Sequence, residues 1–240
     1  MIPLKDRNRS RSFPFVTIGI IIVNALVFLV ELDVMLRQGN PGLQEFIRRY
    51  GIVPAALFDP LRYGENGTYL ALRSLITTQF VHGGVAHIVM NMLFLWVFGD
   101  NVEDVLGHAR FLAFYLTCGV AGGLLHALTS PTSTVPAVGA SGAISGVMAA
   151  YLVLFPRSRI VTAVFFFFIT LVEIPAVLLI GYWFVLQVIS GLASLGTAAR
   201  GGTAWFAHIG GFAAGYFMLR LTARRARPRA PRGPRIWVED

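Results

Sequence analysis

Ser141, in the run Gly139-Ala140-Ser141-Gly142, and His208, in a later apolar segment, place a hydroxyl and an imidazole within a strongly apolar chain. An imidazole that takes the hydroxyl proton would make the serine a nucleophile for acyl transfer, here peptide-bond chemistry inside a membrane. Ser141 opens an apolar stretch, 141–155, where the unpaired N–H groups and dipole of a first helical turn would favour an alkoxide or an oxyanion. An ordinary N-cap accounts for a serine at that position equally well. Small residues recur at every fourth position in both segments, Gly142, Gly146 and Ala150 in one and Ala207, Gly211 and Gly215 in the other. Such faces let two helix backbones approach closely. His208 precedes Gly211 by three residues, so contact between the two faces brings the imidazole to the hydroxyl.

His87 and Asn91 are spaced i, i+4 and share one face of a third apolar segment. Polar groups are costly at bilayer depth, and both side chains can donate toward an oxyanion beside the Ser141 backbone N–H. A metal centre is the rival use of His82, His87 and His208. The nearby carboxylates, Glu103, Asp104 and Glu173, fall on the predicted cytoplasmic side, and no H-E-x-x-H or cysteine cluster is present, so no metal and no cofactor is assigned. His108 and His126 sit at the two ends of one span and are read as silent interface residues.

The elements that position these groups are membrane spans. Hydrophobic residues make up 55% of the 240 and charged residues 13%, with a mean hydropathy of +0.67, against roughly 25% charged in soluble domains. The net charge of +8 is concentrated at the ends: Lys5, Arg7, Arg9 and Arg11 before the first span, and seven arginines from Arg220 to Arg235 after the last. Neither end interleaves aromatics with its charges, so the pattern reads as cytoplasmic tails and anionic headgroups, not nucleic-acid binding. The single cysteine, Cys118, lies in an apolar segment and excludes an intrachain disulfide.

Hydropathy and punctuation predict an all-α membrane protein of six spans, at residues 14–32, 85–98, 111–128, 141–155, from near 173 to 195, and 204–221. The acidic turn holding Asp100, Glu103 and Asp104 would follow the second span. A long external loop rich in Gly, Pro and aromatics is expected over 33–75, an interfacial or extended hydrophobic segment over 160–172, and a Gly-rich loop over 196–202. Residues 1–13 and 222–240 are read as basic cytoplasmic tails flanking one membrane domain, 14–221. The short tails and the lack of a transit peptide point to a bacterial inner membrane. A small transporter would also place His and Asn inside a bilayer, but no internal repeat supports one.

Taken together and in order, Gly139-Ala140-Ser141-Gly142, Ala207-His208-Ile209-Gly210-Gly211, and His82-Gly83-Gly84-Val85-Ala86-His87 leading into Asn91 resemble the rhomboid intramembrane serine proteases, over about residues 14–220. The resemblance implies a Ser141–His208 dyad without a third carboxylate, with His87 and Asn91 completing the oxyanion hole. It makes Gly139, Gly142, Gly211, Gly215, Glu103, Arg73 and His82 structural supports. Substrates would be single-span membrane proteins entering from the lipid bilayer between the second and fifth spans. There Trp183 and Phe184 are candidate gate residues, although aromatics near a span end also serve as interface anchors. The chain departs from the family pattern at three positions: Leu72 stands where a tryptophan is usual, Asp100 where a small residue is usual, and Ser145 where an aromatic often packs against the histidine. A rhomboid-like protein that binds or escorts membrane clients without cleaving them is the alternative.

Overall fold

The computed structural model describes residues 1–8, 10–64, 66–165, 168–195 and 203–222. The expected Gly-rich loop 196–202, and the C-terminal tail from residue 223 on, lie outside the described residues. The helices are α1 (Phe15–Tyr50), α2 (Pro54–Phe58), α3 (Gly67–Thr77), α4 (Val85–Leu106), α5 (His108–Thr129), α6 (Ser141–Leu154), α7 (Ala176–Ser194) and α8 (Trp205–Thr222). All six apolar segments therefore form helices. Of these, α1, α4, α5 and α7 are long and apolar enough to cross a membrane. α6, with 14 residues, rises only about 21 Å. It is buried continuously from Gly142 to Tyr151, as expected of a helix apolar on every side. The core joins Phe98, Phe111, Tyr115, Met148, Tyr151 and Leu219, all 0–1% exposed, and so sits where α4, α5, α6 and α8 meet.

Three expectations need correction. The segment 33–75 is not an open loop: α1 continues to Tyr50, and α2 and α3 follow. The chain bends inside α1 at Gly39, whose φ of 67° suits glycine, and Pro41 then starts the second helical stretch, where a missing N–H costs nothing. The acidic residues after Phe98 do not form a turn either, because α4 runs on to Leu106 and stops only before Gly107. Finally, the described residues of 160–172 are extended, as one of the two expected forms, but strand structure runs past them and delays the fifth span. Strands β2 (Arg159–Phe165) and β3 (Ile169–Pro175) pair antiparallel, and β1 (Ile2–Asp6) pairs with β2 to complete a sheet of order β1-β2-β3. Glu173 therefore belongs to β3, and α7 begins after Pro175. The runs Ile160-Val161-Thr162 and Ile169-Thr170-Leu171-Val172 are β-branched at every position but Leu171, which favours strand over helix.

Carboxylates tie the N-terminal segment to the bundle, so part of the predicted tail is structural. Buried Glu103 accepts from the Val16 N–H at 2.9 Å and from the Thr17 N–H and hydroxyl at 2.7 Å each, capping the start of α1 from the far end of α4. His108 pairs with the same carboxylate at 2.6 Å. Asp6 accepts from the Tyr151 hydroxyl at 2.8 Å and from Asn101 Nδ2 at 2.9 Å, while Arg7 bridges to Glu173. Burial, with a lesser contribution from Asp100, raises the Asp6 carboxyl from its ordinary 3.8 to about 6, even though the Tyr151 bond opposes this.

The folded chain thus holds the Asp6 proton more tightly than the unfolded chain does. The stability this contributes is complete below pH 3.8 and is lost as pH rises through about 6. The thermal midpoint of the wild type should therefore fall, relative to Asp6→Asn, between about pH 4 and about pH 7. Parallel pH profiles for the two proteins would show that Asp6 carries no such linkage.

Candidate active site

The site is built on the seam between α6 and α8. A Cβ placed on Gly211 would lie 1.9 Å from the Gly142 carbonyl oxygen, and one on Gly215 would lie 2.4 Å from that of Gly146. No side chain fits there, so the two small-residue faces are in backbone contact, as their four-residue spacing predicts. Gly210, on the adjacent side of α8, makes the same approach to α5, where its Cβ would meet the Ala121 carbonyl oxygen at 3.0 Å. α8 is therefore wedged between two helices, and His208 is carried into the gap one turn before Gly211.

Ser141 is the first residue of α6, with Ala140 as the cap residue and no side-chain cap bond. Its hydroxyl is committed elsewhere: His208 Nε2 stands 2.8 Å from Ser141 Oγ. The N-cap reading of Ser141 is thereby replaced by a hydroxyl–imidazole pair. Ser145, one turn on, donates its hydroxyl to the Ser141 carbonyl at 2.6 Å and does not reach the histidine. Aromatic packing on the imidazole comes from other helices: the Trp183 ring of α7 lies 5.8 Å away at 32°, and the Trp205 ring of α8 lies 6.2 Å away, edge-on at 87°.

The sequence reading missed Gln187. This α7 residue is only 5% exposed, and its Oε1 lies 2.7 Å from His208 Nδ1. The one signal available was a glutamine inside an apolar span, which must find a partner there.

Ser141 and His208 open onto a cavity of about 550 Å³, also lined by His87, Asn91, Met148 and Trp183. The buried Asn91 Nδ2 has no hydrogen-bond partner among the described residues, so an unpaired donor belongs to the same cavity wall as the hydroxyl. Gly139 has φ of +127°, and a Cβ there would lie 2.7 Å from His87 Nε2. Glycine thus allows both the turn into α6 and the close approach of the His87 ring. His82 is fully buried with its ring edge-on to His87 at 5.1 Å, and its backbone N–H donates to Glu31 at 2.9 Å.

The other predicted positions lie around this centre. Arg73 Nη2 donates to the Arg49 carbonyl at 2.8 Å, and its guanidinium lies 4.9 Å from the Tyr50 ring, joining α3 to the end of α1. Phe184 stacks on Phe212 with centroids 4.1 Å apart, so of the two gate candidates only Trp183 lines the cavity. No group of three or more metal-ligating side chains occurs among the described residues.

A multi-helix membrane bundle with a serine–histidine pair in its core defines a class that comparison with known sequences narrows. The rhomboid domain matches residues 70–225, and the chain belongs to the rhomboid family. It is 32% identical over 143 residues to the mitochondrial rhomboid protein 1 of Saccharomyces cerevisiae, covering 58% of this chain and 38% of that protein. Against RHOMBOID-like protein 12, mitochondrial, of Arabidopsis thaliana the identity is 32% over 216 residues, covering 79% and 57%. Rhomboid protease GluP of Bacillus subtilis is 42% identical over 78 residues, covering 32% of this chain and 15% of that protein. The chain thus spans between 15% and 57% of the length of these relatives. Membership of the family, with four helices of spanning length, makes it an integral membrane protein.

The seam has a direct test. Gly211→Val must push α8 off the Gly142 carbonyl, and a loss of roughly 3 kcal/mol or more in stability is expected together with the Ser141–His208 contact. Gly19→Ala, where nothing lies within 4 Å of the added methyl, should leave the unfolding midpoint unchanged or slightly raised. Equal midpoints for the two variants would contradict the close-packed seam.

Proposed function

We propose that this protein is an intramembrane serine endopeptidase that cleaves single-span membrane proteins in or near their membrane segments, with residues 14–221 as the working unit. The observation that carries this reading is the 2.8 Å contact of His208 Nε2 with Ser141 Oγ on the wall of a cavity that is open on one side. The name of the GluP relative, a rhomboid protease, supports it from outside the chain.

In this mechanism, His208 Nε2 takes the hydroxyl proton as Ser141 Oγ attacks the substrate carbonyl carbon. The carbonyl oxygen becomes an oxyanion, which receives hydrogen bonds from Asn91 Nδ2, the His87 ring and the Ser141 backbone N–H. Collapse breaks the C–N bond, and His208 returns the proton to the leaving amine, which leaves an acyl ester on Ser141. Water, deprotonated by His208, then releases the acid and restores the hydroxyl.

A substrate helix hides its carbonyls in its own hydrogen bonds, so a locally unwound stretch must be presented. Trp183 and Phe184 on α7 are the proposed gate. Residence in a bacterial cell membrane with both termini cytoplasmic completes the proposal. The Bacillus relative fits a bacterial setting, whereas the yeast and Arabidopsis relatives are named mitochondrial, and basic Lys5, Arg7 and Arg11 support the orientation. A client-binding protein without catalysis would not need the Ser141–His208 contact, and this chain retains it.

Purified protein should cleave a single-span substrate in detergent, and Ser141→Ala and His208→Ala should each lower the rate by about 10³-fold or more with unchanged helical content. Full activity in Ser141→Ala would sink the assignment. Asn91→Ala should lower kcat by about 100-fold with KM nearly constant, because its bond strengthens as charge develops on the oxygen. A change confined to KM would instead make Asn91 a substrate-binding residue.

A further inference from the structure

The dyad leaves open how a general base is kept in one tautomer at one angle. A neutral imidazole carries its proton on either nitrogen, and only the form protonated at Nδ1 presents a bare Nε2 to the serine. We propose that Gln187 is a positioning residue that fixes this form, so that the catalytic group is a hydrogen-bonded Ser141–His208–Gln187 triad with a neutral amide in third place. The proposal rests on the serine-protease reading above and deepens it.

The direction of the bond follows from the amide itself. Gln187 Nε2 donates to the Trp183 carbonyl one turn back on α7, at 3.2 Å. Its Oε1 is then the atom left facing His208 Nδ1 at 2.7 Å, and a carbonyl oxygen can only accept. Turning the amide over would set Oε1 against the Trp183 carbonyl oxygen, two acceptors with no proton between them. Nδ1 is therefore the donor and Nε2 the bare nitrogen, 2.8 Å from Ser141 Oγ. The helix backbone orients the amide, the amide orients the imidazole, and the imidazole meets the hydroxyl. Neither ring nitrogen of His208 needs any other partner. The other titratable rings felt by His208 are His87 of α4 and His126 of α5, and neither shares a hydrogen bond with it. Once His208 has taken the serine proton, the same carbonyl dipole points at the cation.

Full-length protein labelled with ¹⁵N-histidine gives the tautomer directly, with His208 assigned by its loss in His208→Ala. The wild type should show Nδ1 protonated and Nε2 bare. Gln187→Met, similar in volume but without an amide, should give a mixture of tautomers. Gln187→Glu, which restores an acceptor at the same reach, should return the Nδ1–H form. In the cleavage assay Gln187→Met should lose on the order of 100-fold in kcat with KM within about 2-fold, and Gln187→Glu should recover most of it. Protonation of wild-type His208 at Nε2, or an unchanged spectrum in Gln187→Met, overturns the proposal. The wild-type spectrum decides even if a variant fails to fold. It also decides if the wild type cleaves nothing, which would remove the protease reading while leaving the tautomer assignment to stand or fall alone.

Discussion

The contact on which the rest of the molecule depends is the backbone approach of α8 to α6, with Gly211 lying against the Gly142 carbonyl. In a bilayer, lipid tails compete on equal terms with apolar side chains, so helix association cannot rest on burial alone. Close backbone packing supplies what burial cannot, and here it also sets the geometry of the candidate site. His208 is placed one turn from Gly211 and Ser141 one residue from Gly142, so the same geometry that holds the helices together holds the imidazole 2.8 Å from the hydroxyl. Stability and the candidate site therefore share a single set of residues. A side chain added at the seam would damage both at once.

The remaining helices hold that pair in place from outside. α4 contributes His87 and Asn91 to the cavity, and through Glu103 its far end caps the start of α1. α7 supplies Gln187 and the Trp183 ring, so the helix that carries the proposed gate also carries the partners of His208. The sheet on the side of the N-terminus leads directly into α7. β1 and the Asp6–Tyr151 bond fasten the sheet to the end of α6.

Much of the site was legible because its constraints are local in sequence. The four-residue spacing of small residues on two segments requires a tight helix pair, and a histidine three residues before one of those glycines must share the seam. The limits of α5, α6 and α8 follow from hydropathy to within three residues. What escaped was set by tertiary partners. α4 continues through Asp100, Glu103 and Asp104 because Glu103 is satisfied by backbone donors of α1, a fact no local window contains. The 33–75 segment carries Gly39 and Pro41, which read as loop signals and in fact mark one bend between two helical stretches. Gln187 lies 21 residues from the histidine on another helix, so only its polarity within an apolar span could have flagged it. Ser145 drew attention to a missing ring, and the ring is provided by Trp183 across the bundle.

The central claim is that a hydroxyl at the first residue of α6 is made nucleophilic by the imidazole on α8. A fluorophosphonate reacts covalently with such a serine whatever the natural substrate is. Intact-mass and peptide mapping of the labelled protein should find one adduct, on the peptide containing Ser141, and none in His208→Ala. An unlabelled wild type, or an adduct on a different serine, would contradict it.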